Sequence, residues 1–371
     1  MNRRQFLKTA AAGPVAGLAA TRRTYAQNPP VTLHTRTMGA TGIEVVDIGL
    51  GSNVCGDDAV MRYALDMGMN YIDTARAYRD GNAERMVAEA VAGRPRDSFV
   101  ICDKVPWYAT TAEDMLAEAN TALELLRLDY VDFMLYHKMD APEQFTQEFV
   151  DVAKQLKAEG KTRYFGVSTH IQQVAVARRA IELGVDQILL GFGVAGVEQY
   201  AELESVINEA AAKGIAVAAM KTASGQDQPT IKAFQDEGLS FFVACLKWAL
   251  SNPNVCVALS EITTLQMADE NVAASGGRLT EGEHAAIERF VADRGRRSFV
   301  YWGAAQAKCA NGVAVAEILR HRAYYVEYGE RALARKLYSS LPDHQRPAAC
   351  PGCPVCDTVR TELREAERYL A

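Results

Sequence analysis

Four polar residues follow short apolar segments of the chain, at places where the strands of a sheet would end. They are Asp73 in YIDTARAY, Tyr78 five residues later, Lys104 in FVICDKV and His137 in DFMLYH. A lysine ammonium beside a tyrosine favours the phenolate and lowers the phenol pKa, and a carboxylate can hold that lysine charged. We therefore expect Tyr78 to exchange a proton with a carbonyl oxygen that His137 orients.

Each of these residues also has an ordinary structural explanation. An aspartate after a strand often caps a helix, a lysine at a strand end is usually solvated, and a single tyrosine or histidine usually packs. The catalytic interpretation therefore requires a fold that brings all four side chains to one face.

Apolar strand segments alternate with helical patterns at a period of about 30 residues along most of the chain. The strands are nearly continuous apolar runs, which is typical of a parallel sheet covered on both faces. The predicted strands are Val46–Gly51, Asn70–Thr74, Ser98–Lys104, Tyr130–His137, Thr162–Ser168, Gln187–Gly193, Ile215–Lys221 and Val255–Ser260. The predicted helices are Asp57–Met67, Ala83–Ala92, Ala112–Leu126, Phe145–Glu159, Ile171–Leu183, Tyr200–Lys213, Phe234–Leu250 and Thr264–Ala274.

Eight strand–helix units favour an α/β fold of the (β/α)8 TIM barrel type over an open doubly wound sheet. An open sheet would more often carry a G-x-G-x-x-G loop, and Gly191-Phe192-Gly193 lacks the third glycine. In a closed barrel the catalytic groups lie at the C-terminal ends of the strands, which is where the polar residues above fall. Ahead of the barrel, LHTRTMGATGIEV predicts a small N-terminal hairpin.

The segments YIDTARAY, FVICDKV and DFMLYH, in this order and spacing, resemble signature segments of the aldo-keto reductase family, and the resemblance covers roughly residues 33 to 275. It implies a (β/α)8 barrel and an oxidoreductase that reduces an aldehyde or ketone to an alcohol, or the reverse, with NADH or NADPH. It also implies that the catalytic residues are Asp73, Lys104, His137 and the general acid or base Tyr78.

The same resemblance implies a cofactor site at the ends of the later strands. The positions are Ser168, Thr169, Gln187, Met220, Glu261, Glu270 and Asn271. The family usually has asparagine where this chain has Thr169, and a nicotinamide-stacking tyrosine where it has Met220. We also expect Trp107 and Tyr108, which follow the third strand, to line the substrate pocket, and His170 is a further candidate.

The nucleotide end of this site departs from the family pattern. The lysine and arginine that hold a 2′-phosphate in the family correspond to Glu261 and Met267 here. A carboxylate repels a 2′-phosphate but accepts hydrogen bonds from ribose hydroxyls, so we expect NADH over NADPH, or weak nucleotide binding overall. A positive charge supplied by a different loop is the alternative.

After Gly277 the strand–helix alternation stops, and we call residues 278–371 the C-terminal extension. This mainly helical segment resembles a ferredoxin-like extension of some aldo-keto reductases, which carries two C-x2-C-x2-C-x3-C runs. One ligand set of that pattern is lost, at Phe299, Trp302, Ala305 and Arg360, and the other is kept, at Cys309, Cys350, Cys353 and Cys356. Since the fourth cysteine of each run ligates the other cluster, the resemblance implies one [4Fe–4S] cluster on the kept set. A structural zinc ion or disulfides are the alternatives.

The first 26 residues are expected to be removed from the folded protein. An RRQFLK segment at residues 3–8 precedes an apolar stretch that is too short to span a bilayer stably, and TYA at 24–26 has small residues at its first and third positions. This pattern resembles a twin-arginine signal, which implies the export machinery as a partner and a periplasmic or otherwise exported protein. An ordinary basic N-terminus is the alternative. The barrel is then expected over residues 31–277.

The net charge of −6 provides no basic surface for nucleic acid. We expect a small-molecule carbonyl substrate, and an electron-transfer partner if the four cysteines bind a cluster. Two other functions remain open at this point: a barrel without turnover that serves as a binding or partner protein, and an electron-transfer protein that uses the four-cysteine site.

Overall fold

The apolar segments of the chain form ten strands in the part that the structure describes. The computed structural model describes residues 32–194, 200–223, 228–294, 309, 311–326, 331–349 and 360–371. In chain order the strands are β1 Thr35–Thr37, β2 Glu44–Val46, β3 Ile48–Gly51, β4 Tyr71–Asp73, β5 Val100–Val105, β6 Val131–Tyr136, β7 Thr162–Thr169, β8 Gln187–Gly191, β9 Ala216–Met220 and β10 Val257–Glu261.

Strands β3 to β10 are parallel to their neighbours and close into a barrel in the order β10-β3-β4-β5-β6-β7-β8-β9. The predicted (β/α)8 TIM barrel is therefore confirmed. In the register of the sheet, Asp73 lies beside Cys102, and Lys104 lies beside Leu135. The last residues of β4, β5 and β6 consequently reach the same mouth of the barrel, where parallel strands place functional side chains.

The described helices cover the outside of the barrel or belong to the C-terminal extension. They are α1 Asp58–Asp66, α2 Asn82–Val91, α3 Ala112–Leu126, α4 Gln147–Ala158, α5 Gln173–Leu183, α6 Tyr200–Ala212, α7 Gln228–Asp236, α8 Phe241–Leu250, α9 Leu265–Val272, α10 Glu281–Arg294, α11 Val315–Val326, α12 Arg331–Ser339 and α13 Arg360–Leu370. None of these described helices is both long enough and apolar enough to cross a membrane.

The single predicted helix Phe234–Leu250 is wrong, because two helices occupy this stretch. Helix α7 ends before Gly238, which has a φ of 74°, a left-handed conformation that stops a helix. Helix α8 then begins after Ser240, whose side chain accepts a hydrogen bond from the amide of Val243 at 3.4 Å. The pattern of apolar residues continues across the break, which is why periodicity alone merged the two helices.

The predicted hairpin is present at the opposite end of the barrel from the mouth. Strands β1 and β2 pair antiparallel, and Met38, Ile43 and Val45 are buried against the inward-facing side chains of the barrel strands. The turn approaches the chain after α6 closely, since the amide of Ala40 donates to the carbonyl of Gly214 at 2.7 Å. The hairpin therefore closes the N-terminal end and leaves the C-terminal mouth to other elements.

Helices α11, α12 and α13 of the C-terminal extension share a small apolar core and pack on the barrel. Ile318, Leu319, Ala334 and Leu363 are buried in this core together with Ile171, which belongs to the loop after β7. Because a barrel residue takes part in the core of the extension, the extension is docked at the C-terminal mouth. Leu33–Ala371 form one compact unit.

Candidate active site

The structure brings Asp73, Tyr78, Lys104 and His137, which we call the tetrad, together at the mouth of the barrel. Asp73 ends β4, Lys104 is the penultimate residue of β5, and His137 directly follows β6. Asp73, Lys104 and His137 are nearly inaccessible to solvent, whereas Tyr78 keeps part of its surface open. The polar residues that the sequence predicts at strand ends therefore do form one cluster of side chains.

The ammonium group of Lys104 is the centre of this cluster. Its Nζ lies 2.7 Å from Oδ1 of Asp73, 2.6 Å from the carbonyl oxygen of Thr74 and 3.4 Å from the hydroxyl of Tyr78. These three contacts match the three N–H donors of a lysine ammonium. Burial alone would lower the pKa of Lys104, but the Asp73 carboxylate outweighs burial and holds the pKa above its ordinary value.

The buried carboxyl of Asp73 is held on one side only. Burial raises the pKa of Asp73, and the ammonium of Lys104 opposes this shift. The second oxygen, Oδ2, has no hydrogen-bond partner among the described residues. Removing the charge of Lys104 would thus leave a carboxylate with no cation beside it in a buried place.

Tyr78 is presented to the cluster by a tight turn. It begins the 3-10 turn Tyr78–Gly81, in which both Arg79 and Asp80 have a φ of 54°. The turn is fixed from outside, since Arg79 Nη1 donates to the carbonyl of Cys55 at 2.8 Å and Asp80 accepts from Lys336 of the extension at 3.0 Å. Two consecutive non-glycine residues in the left-handed region are strained, and such strain is typical of functional turns.

Lys104 acts on the pKa of Tyr78 in the predicted, lowering direction, but burial has the larger and opposite effect. Burial raises the pKa of Tyr78 above its ordinary value, and the attraction of the nearby Lys104 ammonium reduces this rise without cancelling it. Tyr78 therefore keeps its proton at neutral pH. A protonated phenol next to an ammonium can donate a proton and leave a phenolate that the ammonium stabilises.

His137 lies beside Tyr78 as a neutral imidazole. Its ring makes an edge contact with the Tyr78 ring, with 5.4 Å between the centroids, and Trp107 packs on it at 5.6 Å. Burial, assisted by the charge of Lys104 and other nearby cations, holds the pKa of His137 well below its ordinary value. A neutral imidazole can donate one N–H to a substrate oxygen and remain uncharged.

A cavity of about 360 Å³ opens at this cluster and continues along the barrel mouth. Asp73, Tyr78, Trp107, His137 and His170 line it, whereas Tyr108 does not and is 53% exposed. The cavity continues past the ends of β9 and β10, where its lining residues are Met220, Lys221, Thr222, Ser260, Glu261, Thr263, Met267 and Asn271. The cavity therefore joins the proton donor Tyr78 to the ends of β9 and β10.

The predicted cofactor residues divide into two groups. Met220, Glu261 and Asn271 line the same cavity as Tyr78, but Glu270 does not. Ser168, Thr169 and Gln187 have 0% exposure and do not line it. The structure thus brings the residues of β9, β10 and α9 to the tetrad and does not expose the proposed amide partners.

Local hydrogen bonds hold the residues of the second group. Ser168 Oγ accepts from the amide of Lys138 at 3.0 Å, and Thr169 Oγ1 donates to the carbonyl of Ile171 at 2.9 Å. Gln187 Nε2 donates to the hydroxyl of Tyr71 at 2.7 Å, while its Oε1 is buried without a hydrogen-bond partner among the described residues. An unpartnered amide oxygen of this kind suits an amide N–H donor.

A positively charged side chain, Lys221 directly after β9, lies beside Glu261. Lys221 Nζ lies 3.9 Å from Glu261 Oε1, and both side chains line the cavity. Lys221 is a cation from a different loop, and it therefore matches the alternative source of positive charge that the sequence left open. The two charges therefore act together on whatever nucleotide occupies this end.

Residues of the C-terminal extension complete the wall of the cavity, and sequence reasoning missed them. Arg320 and Tyr324 of α11 and Leu337 of α12 line the cavity, as does Lys138, the residue after His137. The only signal for Lys138 was its position next to His137. No local pattern in the sequence relates α11 to the end of β6, since Lys138 and Glu317 are 179 residues apart in the chain.

The predicted four-cysteine site falls mainly outside the described residues. Cys350, Cys353 and Cys356 are not among them, while Cys309 is, and it packs at the edge of the core of the extension. The described residues contain no group of three or more histidine, cysteine or acidic side chains that could hold a metal ion. The N-terminal 26 residues likewise lie outside the described part of the chain.

Known proteins are similar to this chain in sequence and in fold. Residues 56–226 match the model of the Aldo/keto reductase family. L-galactose dehydrogenase of Arabidopsis thaliana is 24% identical over 278 residues, which cover 64% of this chain and 87% of that protein. A methylglyoxal reductase of Escherichia coli is 24% identical over 266 residues, covering 67% and 92%. The crystal structure of an aldo/keto reductase from Klebsiella pneumoniae in complex with NADP and acetate matches with a TM-score of 0.57 and 25% identity, and covers 69% of this chain and 94% of that one.

Proposed function

We propose, from the premise that this chain is an oxidoreductase of the aldo/keto reductase family, that it interconverts a small carbonyl compound and its alcohol with NADH or NADPH. Tyr78 is the general acid of the reduction and the general base of the reverse reaction. The observation that carries this proposal is the position of the Lys104 ammonium, which lies 2.7 Å from Asp73 and 3.4 Å from the Tyr78 hydroxyl.

The roles of the four side chains follow from their contacts. Tyr78 gives its proton to the carbonyl oxygen and becomes a phenolate, which the charge of Lys104 stabilises. Asp73 holds Lys104 charged and in place, and the neutral His137 orients the carbonyl oxygen. Tyr78 is then reprotonated from solvent. Each group therefore acts at the oxygen of the substrate and leaves the carbon accessible from the other side of the cavity.

The nicotinamide cofactor supplies the hydride that the carbonyl carbon receives. Met220 presents an apolar surface beside the tetrad, and Ser260, Glu261 and Asn271 supply polar groups farther along the same cavity. The Klebsiella pneumoniae relative in complex with NADP supports the assignment of this cavity to a nicotinamide nucleotide.

We extend the proposal to the two ends of the chain. Cys309, Cys350, Cys353 and Cys356 bind one [4Fe–4S] cluster, and the segment 1–26 directs export by the twin-arginine pathway. Iron and sulfide analysis of anaerobically purified protein tests the cluster, and zinc without iron would refute it. Fractionation of the native host tests export, and accumulation of the full-length chain in the cytoplasm would refute that part.

A comparison of two tyrosine variants tests the proposed reaction. The wild-type protein, Tyr78→Phe and Tyr108→Phe are assayed with NADH and NADPH on a panel of aldehydes and ketones. We expect turnover by the wild type and by Tyr108→Phe, whose side chain is exposed outside the cavity, and a loss of about 10²-fold or more for Tyr78→Phe. Equal rates for wild type and Tyr78→Phe would favour a binding protein over a reductase.

A further inference from the structure

Arg320 of the C-terminal extension lines the cavity and carries a donor that the described residues leave unused. The side chain lines the same cavity as Tyr78 and His137 and is only 6% exposed. Its Nη2 donates to Oε2 of Glu317, while its Nε is buried and has no hydrogen-bond partner among the described residues. A buried N–H of a charged guanidinium without an acceptor is costly, so its presence points to an acceptor that arrives with a ligand.

The charges around Arg320 make this part of the cavity electropositive. Lys138 lines the cavity next to Arg320, whereas the acids that balance the two cations, Glu317 and Asp140, do not line it. Glu317 accepts from both Lys138 and Arg320, and Asp140 accepts from the backbone amides of His170 and Ile171. The cations are therefore closer to the cavity than their counter-ions.

The other acids and the histidines of the cavity do not offset the positive charge around Arg320. Asp73 is engaged with Lys104, and Glu261 lies at the other end beside Lys221. Burial, with a contribution from the charge of Arg320, holds the pKa of His137 and of His170 well below the ordinary value, so neither histidine adds a charge. Arg320 and Lys138 are thus the charged groups that a substrate meets on the side of the extension.

We infer that Arg320 binds a carboxylate of the substrate, so that the enzyme acts on carbonyl compounds that also carry a carboxylate, such as aldehyde acids or keto acids. The inference rests on the proposed carbonyl reduction at Tyr78. The Nε and Nη groups along one edge of a guanidinium match the two oxygens of a carboxylate, which explains an arginine at this position. The extension therefore selects the substrate that the barrel reduces.

Two matched substrates test this inference: 4-formylbenzoate and its methyl ester, which present the same aldehyde with and without a negative charge. We expect the wild type to have a kcat/KM at least about 10-fold higher for the carboxylate, since charged hydrogen bonds of buried groups are worth roughly a factor of ten or more. Arg320→Gln is expected to lower this ratio about 10-fold or more, mainly through a higher KM for 4-formylbenzoate. Arg320→Lys is expected to restore part of the ratio.

Arg322→Gln is the matched control, because Arg322 lies on the same helix and pairs with Glu365 at 2.7 Å without lining the cavity. Its ratio is expected to equal that of the wild type. A wild-type ratio at or below one would overturn the inference even if Arg320→Gln does not fold. A ratio that Arg320→Gln leaves unchanged would overturn it as well, since a structural role would slow both substrates equally.

Failure of the proposed reduction can be told apart from failure of this inference. If neither aldehyde is reduced, isothermal titration with 4-methylbenzoate and 4-methylbenzamide decides. Tighter binding of 4-methylbenzoate to the wild type, lost in Arg320→Gln, would support the carboxylate site and refute the reduction. Turnover of both aldehydes with equal kcat/KM would support the reduction and refute the carboxylate site.

Discussion

The ammonium nitrogen of Lys138 lies 2.6 Å from Oε2 of Glu317, which joins the barrel residue after His137 to the first turn of α11. Both side chains are mostly buried, and Glu317 also accepts from Arg320. An ion pair in this position fixes the extension against the strand end that carries His137. The extension is thus a wall of the proposed active site as well as a neighbour of the barrel.

The first prediction concerns the stability that Glu317 provides. Its neighbouring cations, Arg320 first, overcome the effect of burial and lower its pKa to about 2. A depressed folded-state pKa means that the stabilisation is present above the unfolded value and is lost as the pH falls towards 2. We expect Glu317→Gln to lower the free energy of unfolding by about 3 kcal/mol at pH 7, because it leaves buried cations without their carboxylate.

Chemical unfolding at several pH values measures this effect. The difference between Glu317→Gln and wild type should shrink as the pH falls from about 5 towards 2. Asp80→Asn is the control, since the exposed pair with Lys336 should contribute less than about 1 kcal/mol. A Glu317→Gln protein as stable as the wild type at pH 7 would contradict the proposed fixation.

The second prediction concerns the pH dependence of reduction. Burial raises the pKa of Tyr78 above its ordinary value near 10, so the acid remains protonated up to that pH. Burial and nearby cations lower the pKa of His137, so the imidazole stays neutral below pH 6.5. We expect kcat/KM for reduction to be flat for these two groups between about pH 6.5 and 10 and to fall above it, while oxidation of the alcohol rises over the same alkaline limb.

Steady-state rates in both directions, in buffers of constant ionic strength, check this profile. A fall in the reduction rate with a midpoint near pH 7 to 8 would contradict a raised pKa of Tyr78, provided that the protein stays folded over this pH range.

The third prediction concerns the pair of Lys104 and Asp73. Lys104→Met should lower kcat by about 10² or more, because the phenolate of Tyr78 loses its stabilising charge. It should also destabilise the fold by about 3 to 5 kcal/mol, since the Asp73 carboxylate is left buried and unpaired. The double variant Asp73→Asn/Lys104→Met should recover much of the stability and none of the activity.

Unfolding and kinetic measurements on these two variants separate the contribution of Lys104 to stability from its contribution to catalysis. Lys157→Met, at a partly exposed pair with Asp186, is the control and should leave kcat unchanged. Recovery of activity in the double variant would show that Lys104 is not needed for proton transfer.

The fourth prediction concerns the nucleotide. With Glu261 at the cavity, we expect the wild type to bind NADH more tightly than NADPH, and Glu261→Gln to reduce this preference because the carboxylate no longer repels a 2′-phosphate. Fluorescence titration with both nucleotides measures it, with Glu237→Gln, a surface pair with Arg289, as the control. Markedly tighter NADPH binding by the wild type would show that Lys221 dominates this end of the cavity.

The sequence was sufficient to predict the cluster around Lys104 but not its environment. Asp73, Lys104 and His137 could be placed because each one ends an apolar run, and the mouth of a parallel barrel gathers strand ends. The raised pKa of Tyr78 could not, because it depends on burial in the assembled structure. The position of Arg320 could not be predicted either, because it depends on how α11 docks on the barrel. That docking joins Lys138 to Glu317, which are 179 residues apart in the chain. The break at Gly238 was missed because the apolar pattern continues through it.

The most direct test of carbonyl reduction with Tyr78 as the acid measures hydride transfer and the effect of Tyr78→Phe in one experiment. Benzaldehyde is incubated with the wild type or with Tyr78→Phe and a cofactor that carries deuterium at the transferred position of nicotinamide C4, and the alcohol is examined by mass spectrometry. We predict benzyl alcohol with one deuterium at the former carbonyl carbon from the wild type, and a rate lower by about 10²-fold or more from Tyr78→Phe. Alcohol without deuterium, or equal rates from the two proteins, would contradict carbonyl reduction with Tyr78 as the acid.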